Sequence, residues 1–302
     1  MTSIRTIILA ARPKTLPASL VAVWAGCVVV SKFEQHFPQS GIRLDYLLAV
    51  FTALSAMCLQ IASNFFNDAL DARRNADTPA RQGPMRITAS GHMSPLAVQL
   101  WGAFFLGAAA LFAVPLIQAQ GWAVIAIGIP SMLCAYAYTG GPYPLSYHAL
   151  GELFVLLFYG LVAVVGTVYV QLGWQPELAS VYAAAFMVGT ICGLLSCVLI
   201  EVNNIRDRRE DATTGKRTLA VRLGDHRARG LAMAFLIAPY AVLHHLSEVL
   251  PGVHWNMAWP FAVLIAGILL HKIIRTPADK RMNLLLGLAS LHMILYMLSL
   301  SL

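Results

Sequence analysis

Residues 46–77 read YLLAVFTALSAMCLQIASNFFNDALDARRNAD, and the change of character along this stretch decides the fold. From Tyr46 to about Ser63 the run is apolar over the length a helix needs to cross roughly 30 Å of hydrocarbon. It ends directly in Asn64, Asn67, Asp68 and Asp71. These four lie three or four residues apart, so they share one face of the last helical turns. Amides and carboxylates at membrane depth are costly and mark function by default.

The apolar half of this pattern recurs along the whole chain. Of the 302 residues, 58% are hydrophobic and 12% charged, against about 25% charged in soluble domains. Apolar runs begin near Leu16, Tyr46, Leu96, Trp122, Leu150, Leu178, Gly230, Trp259 and Leu284. They predict an all-α membrane protein of nine transmembrane helices, and no polar linker divides residues 1–302 into more than one domain. Arg12-Pro13-Lys14 leads into a run without a small-residue cleavage site, so the first helix is expected to stay.

Charge placement orients the bundle. With the N-terminus inside, all but Lys32 and Arg43 of the 21 Lys and Arg fall on inner segments, as cytoplasmic loops require. The C-terminus is then outside, and the net charge of +7 is a topology signal rather than a sign of nucleic-acid binding. Two inner segments are long, roughly 67–95 and 201–229. Both open with Asn and Asp, which hints at a four-helix unit used twice with a ninth helix added.

The second segment begins Glu201-Val202-Asn203-Asn204-Ile205-Arg206-Asp207-Arg208-Arg209-Glu210-Asp211. Asn203, Asp207 and Asp211 are spaced i, i+4, so a second acidic face stands on the same membrane side. Each cluster sits at a helix C-terminus, where the macrodipole favours a cation. Hard oxygen ligands suit Mg²⁺, which takes one or two protein carboxylates and fills its shell with water and phosphate oxygens. Arg73, Arg74, Arg81, Arg86, Arg206, Lys216 and Arg217 lie close in sequence, and an anionic, multiply charged ligand reconciles them with the acids. The competing reading, solvated loops whose acids and bases pair together, suits an individual arginine better than it suits the paired Asn/Asp clusters.

Between the fourth and fifth apolar runs, Tyr136-Ala137-Tyr138-Thr139-Gly140-Gly141-Pro142-Tyr143-Pro144-Leu145 carries no charge. It either closes over an aromatic substrate or makes a tight turn flanked by interfacial tyrosines. Glu152 is either a cap or a polar site residue. The five cysteines form no CxxC pair and read as small packing residues, and the nine histidines show no metal-binding spacing. Gly189-Thr190-Ile191-Cys192-Gly193 reads as close helix packing.

In these motifs the chain resembles the UbiA superfamily of intramembrane aromatic prenyltransferases. The family pattern NDxxDxxxD is met by Asn67, Asp68 and Asp71, with Asn75 at its last acidic position and Asp77 two residues later; DxxxD is met by Asp207 and Asp211. Within the superfamily, five short stretches are similar to the branch that uses 1,4-dihydroxy-2-naphthoate. They start at Arg12-Pro13-Lys14, Arg81-Gln82-Gly83-Pro84, Tyr138-Thr139-Gly140-Gly141-Pro142, Asn203-Asn204-Ile205-Arg206-Asp207 and Gly215-Lys216-Arg217. The Lys-Arg that follows the loop tyrosine in the 4-hydroxybenzoate branch is missing after Tyr138.

The resemblance implies helices packed around a central cavity in the bacterial cytoplasmic (inner) membrane, with the site facing the cytoplasm and a polyprenyl diphosphate tail among the helices. It implies Mg²⁺ on Asp68, Asp71, Asp207 and Asp211, and diphosphate on Asn64, Asn203, Asn204, Arg81, Arg86, Arg206 and Lys216. Asn67 joins the acids at the reacting end, and Tyr138 and Tyr143 orient the acceptor. The implied reaction is polyprenyl transfer to 1,4-dihydroxy-2-naphthoate with decarboxylation; 4-hydroxybenzoate or homogentisate are the alternative acceptors. A transporter would carry acids nearer mid-helix. A CDP-alcohol phosphotransferase would keep them in one segment, whereas Asp71 and Asp207 lie on separate runs.

Overall fold

The computed structural model describes residues 4–13, 15–74, 82–83 and 86–302. Among them there is no strand. The helices are α1 (Ile4–Ala11), α2 (Pro17–His36), α3 (Tyr46–Arg73), α4 (Pro95–Gln120), α5 (Trp122–Ala137), α6 (Gly151–Val155), α7 (Ala163–Leu172), α8 (Ala179–Thr213), α9 (Leu219–Ala241), α10 (Leu243–Val249), α11 (Trp259–Arg275) and α12 (Asn283–Ser301). A π-helical turn, Leu156–Val162, joins α6 to α7 as one continuous rod.

By length and apolarity, seven helical segments among the described residues are fit to cross a membrane. The run from Trp122 is helical for 16 residues and that from Trp259 for 17, about 24–26 Å at ~1.5 Å per residue, short of the ~30 Å of hydrocarbon. The expected nine starts each meet a helix, but the seventh helix begins ahead of its apolar run: α9 starts at Leu219, not near Gly230. Arg222, Asp225, His226, Arg227 and Arg229 mask its first turns from an apolar reading. Thr218 caps the start by accepting from the Val221 N–H, and the chain breaks at Gly224 with φ 77°, a conformation that favours glycine.

Local chemistry sets the other ends too. Asp45 starts α3 by accepting from the N–H groups of Leu47 and Leu48 at 2.8 and 3.0 Å, and Ser94 with Pro95 starts α4. The long second inner segment is mostly helix, because α8 runs unbroken for 35 residues to Thr213. That is about 52 Å at ~1.5 Å per residue, so the helix outruns the hydrocarbon by several turns.

The three largest apolar clusters hold most of the bundle. One joins α2, α7, α8 and α12 around Trp259 and Tyr296, a second joins α8, α9, α11 and α12, and a third ties α1, α3 and α4 through Phe65 and Ile87. Glycines let the π-helical turn lie against α8. A Cβ on Gly160 would sit 2.5 Å from the Gly189 carbonyl oxygen and 2.7 Å from Gly193 Cα, so the Gly189/Gly193 spacing serves close packing. The cysteines are all free.

Candidate active site

The ends of α3, α5 and α8 and the start of α6 surround the polar mouth of an elongated cavity. Its volume is about 370 Å³. Asp71, Asp207 and Asp211 line that mouth together with Arg86, Arg206 and Lys216. The two acidic helix ends, separate in sequence, thus share one space. Deeper in, Leu116, Val124, Phe158, Val162 and Val170 make the wall apolar as far as the opposite ends of α3, α4 and α7.

Asp71 is engaged on both carboxylate oxygens. It is 2% exposed. One of its oxygens receives Arg86 Nη2 at 2.9 Å, the other receives the Tyr147 hydroxyl at 2.9 Å, and Lys216 Nζ lies 3.8 Å away. Burial, then the adjacent Asp71 carboxylate, push the Tyr147 phenol far above its ordinary value, so it stays a donor. The Tyr147 ring also lies under the Arg74 guanidinium, 4.9 Å from its centroid.

On α8, Arg206 grips Asp207 with two nitrogens at 2.7 and 2.6 Å and reaches Asn283 Oδ1 at 2.6 Å. The Lys216 N–H donates to the Asp211 carbonyl at 3.0 Å, which brings the basic loop after α8 back to the acids. Asn203 and Asn204 line the cavity; the Asn204 amide donates to Glu152 Oε1 at 2.6 Å. Asn64 lines it as well, anchored on the Ala11 carbonyl at 2.9 Å. Asn67 accepts from the Thr139 hydroxyl, fixing the loop after α5 to the end of α3.

Two expectations meet a different placement. Asp68 uses both carboxylate oxygens on the backbone N–H groups of Ile87 and Thr88, each at 2.9 Å, and is not among the cavity-lining residues. The helical turn that points Asp71 into the cavity points Asp68 at the 86–90 turn. Tyr143 is 58% exposed and stacks on His148 with centroids 3.6 Å apart, so only Tyr138 of the two loop tyrosines faces the cavity. Of the two readings of Glu152, the polar one holds: it makes no cap and accepts from the cavity-lining Asn204. Arg81, Asn75 and Asp77 lie outside the described residues.

Sequence reasoning missed Tyr147, Thr139 and Arg12, all of which reach this mouth or its acids. Arg12 had a signal in the quoted Arg12-Pro13-Lys14. Thr139 had one in the quoted Tyr138-Thr139-Gly140-Gly141-Pro142, and Tyr147 had none, because a loop residue carries no helical spacing. Tyr138, at the C-terminal cap of α5, has its phenol pushed well above the ordinary value, first by burial and then by Glu152.

The donor set fits Mg²⁺. Among the described residues no three acids, cysteines or histidines converge on one point. An ion that takes one or two carboxylates and completes its shell with water and phosphate matches such a mouth, and the neighbouring cations match the phosphate.

The comparisons with known proteins agree on the family. The model for the UbiA prenyltransferase family matches residues 9–291. A 1,4-dihydroxy-2-naphthoate octaprenyltransferase of Mycobacterium tuberculosis is 36% identical over 85% of this chain and 83% of its own length; one of Escherichia coli is 32% identical over 86% and 81%. Among solved structures, a UbiA homolog from Aeropyrum pernix K1 superposes with a TM-score of 0.70 at 14% identity, covering 93% of this chain and 96% of that one. A homolog from Archaeoglobus fulgidus bound to GPP and Mg²⁺ gives 0.60 at 16% identity, covering 98% and 100%; at such identities the likeness concerns the fold. The chain belongs to the UbiA prenyltransferase family.

Proposed function

We propose that this protein transfers a polyprenyl group from polyprenyl diphosphate to 1,4-dihydroxy-2-naphthoate with loss of CO₂, giving demethylmenaquinol. The observation that carries the reading is the single cavity that joins two acidic helix ends and a cationic mouth to an apolar interior. The naphthoate relatives named above supply the acceptor. The whole chain is proposed as one membrane domain of nine crossings, with α5 and α11 as the short ones. Its N-terminus and active site face the cytoplasm and its C-terminus lies outside, in a bacterial inner membrane.

Asp71, Asp207 and Asp211 would hold one or two Mg²⁺ ions. When bound, the metal neutralises charge on the diphosphate oxygens. Arg86, Arg206 and Lys216, with Arg12 and the asparagines, share the remaining charge and orient the diphosphate. The allylic C–O bond breaks with its electron pair on the diphosphate. The ring carbon that carries the carboxylate attacks the allylic cation, and CO₂ departs. Apolar walls exclude water from the cation, and Tyr138 faces the acceptor.

The test is purified protein with 1,4-dihydroxy-2-naphthoate, a polyprenyl diphosphate and Mg²⁺, followed by mass spectrometry, with 4-hydroxybenzoate and homogentisate as parallel acceptors. A prenylated, decarboxylated naphthoate that disappears with EDTA is expected. Product from either of the other acceptors but none from the naphthoate would overturn the reading.

A further inference from the structure

A second, open cavity lies beside the mouth, across Tyr147. Arg74, His148, Arg217, Arg222 and the Tyr147 ring line it, and among the described residues no carboxylate does. The three arginines are exposed, and none lines the first cavity. Among the described residues none of the three is in an ion pair. Topology alone gathers arginines on one side of a membrane, but it asks nothing of their grouping, and like charges brought together repel. Here the fold holds them. Arg74 Nη2 donates to the Gly141 carbonyl at 2.8 Å, and Arg222 Nη2 donates to the His148 carbonyl at 3.3 Å. The Arg217 backbone N–H donates to the Tyr147 carbonyl at 3.2 Å. His148 Nδ1 lies 2.8 Å from the Pro144 carbonyl, which can only accept, so that nitrogen carries a proton. The end of α3, the loop between α5 and α6 and the start of α9 thus bring three guanidiniums to one space.

A guanidinium is a planar fork that meets phosphate oxygens in pairs. Three of them without an acid suit an anion of several charges, and one that needs no metal, since no carboxylate is at hand to hold the ion. Tyr147 stands between the two cavities. Its hydroxyl is on Asp71 in the mouth, and its ring is a wall of the second cavity. Lys216 spans the divide: it lines the mouth with Nζ 3.8 Å from Asp71 and 5.6 Å from the Tyr147 ring centroid, while its neighbours Gly215 and Arg217 line the second cavity. Cationic surface therefore runs from one cavity to the other past a single ring.

We propose that this second cavity is a metal-independent binding site for a diphosphate anion, and that it takes the leaving group from the mouth once the allylic bond has broken. This rests on the reading above that a prenyl diphosphate is cleaved at the mouth. There the freed diphosphate faces Arg86, Arg206 and Lys216. Arg74, Arg217 and Arg222 offer it a neighbouring set of donors, so it exchanges one set of charge contacts for another as it leaves, along a path of favourable potential. Lys216, on its flexible stem, accompanies it past Tyr147. The mouth is then free for the next prenyl diphosphate. No bond forms or breaks in this transfer.

The test is binding of radiolabelled pyrophosphate to the full-length protein in phosphatidylcholine nanodiscs. The mouth is first filled with Mg²⁺ and a thiolo analogue of the prenyl diphosphate, whose C–S bond resists ionisation. Wild type should still bind one pyrophosphate per chain. Arg217→Gln should weaken that binding at least about tenfold, the worth of one charge-assisted hydrogen bond. The Arg217 bond to Tyr147 is made by its backbone, so the substitution leaves it in place. Arg227→Gln removes the same charge from an exposed position of α9 outside the cavity and should bind as wild type does. With substrate, the later turnovers of Arg217→Gln should slow relative to its first by at least about threefold, because release limits them. Arg222→Gln serves the same comparisons if Arg217→Gln does not fold. No pyrophosphate bound beside the analogue, equal losses in Arg217→Gln and Arg227→Gln, or an unchanged ratio of later turnovers to the first overturns the proposal. So does loss of pyrophosphate when phosphatidylglycerol replaces phosphatidylcholine, which assigns the cavity to a lipid phosphate, or its displacement by the naphthoate, which assigns it to the acceptor carboxylate. A wild type inactive on the naphthoate counts against the acceptor reading alone, since pyrophosphate binding beside the analogue needs no acceptor.

Discussion

Replacing Asp71 by Asn, alone and together with Arg86→Met, separates what this carboxylate does for the fold from what it does for the reaction. Asp71 and Arg86 form a buried pair, 2% and 6% exposed, closed at 2.9 Å. Removing one charge from a buried pair costs about 3–5 kcal/mol, whereas replacing both members by neutral groups of similar size is close to neutral. The Tyr147 bond survives in either variant, because the Asn oxygen still accepts. Asp71→Asn should therefore melt well below wild type in detergent, and the double variant should recover most of the loss. Turnover should behave otherwise: both variants fall at least about a hundredfold, roughly 2.7 kcal/mol of transition-state stabilisation. Melting followed by intrinsic fluorescence and product followed by mass spectrometry measure the two effects on the same preparation. A double variant that regains turnover along with stability would show that Asp71 only holds Arg86 in place, and would remove it from the proposed metal set.

Asp207→Asn should lose turnover about as Asp71→Asn does, while Asp68→Asn should lose less than about tenfold and about 1 kcal/mol of stability for each weakened backbone bond; steady-state rates and melting of the two variants check this. Tyr147→Phe removes the neutral hydroxyl that Asp71 receives, and kcat should fall by about fivefold, the worth of one ordinary hydrogen bond. Gly160→Val drives a side chain into Gly189 and Gly193 on α8, so overpacking should lower stability by about 1–3 kcal/mol with the site residues untouched, read by thermal unfolding. Gly166 lines the cavity well away from the mouth, and a Cβ there meets nothing within 4 Å. Gly166→Phe should fold normally yet favour shorter prenyl diphosphates over longer ones in a competition assay; an unchanged preference would place the tail elsewhere.

The bundle was legible because apolar length and the Asn/Asp endings are local signals. Asn67, Asp71, Asp207 and Asp211 are separated by helical spacing, and spacing says which residues share a face. It does not say which way that face turns, and so Asp68, one residue from Asn67, reads like the other acids although it points at the 86–90 turn. The start of α9 was obscured for a related reason: hydropathy detects burial in lipid, and the first turns of α9 carry charges beside a loop. Tyr147 could not be ranked from sequence, since its importance comes from a partner far along the chain, Asp71. Tyr143 had the residue type expected of an acceptor platform and lacked only the direction.

The uninterrupted run of α8 has a mechanical consequence. Cys192, in the apolar core, and Asp211, at the mouth, belong to one helix with no proline or break between them, a separation of about 28 Å at ~1.5 Å per residue. A rod of that stiffness turns any tilt imposed by lipid thickness into sideways travel of Asp207 and Asp211 relative to Asp71. The spacing of the acids is thereby tied to the bilayer in which the protein sits, and lipids of graded chain length offer a continuous control over it that no substitution provides.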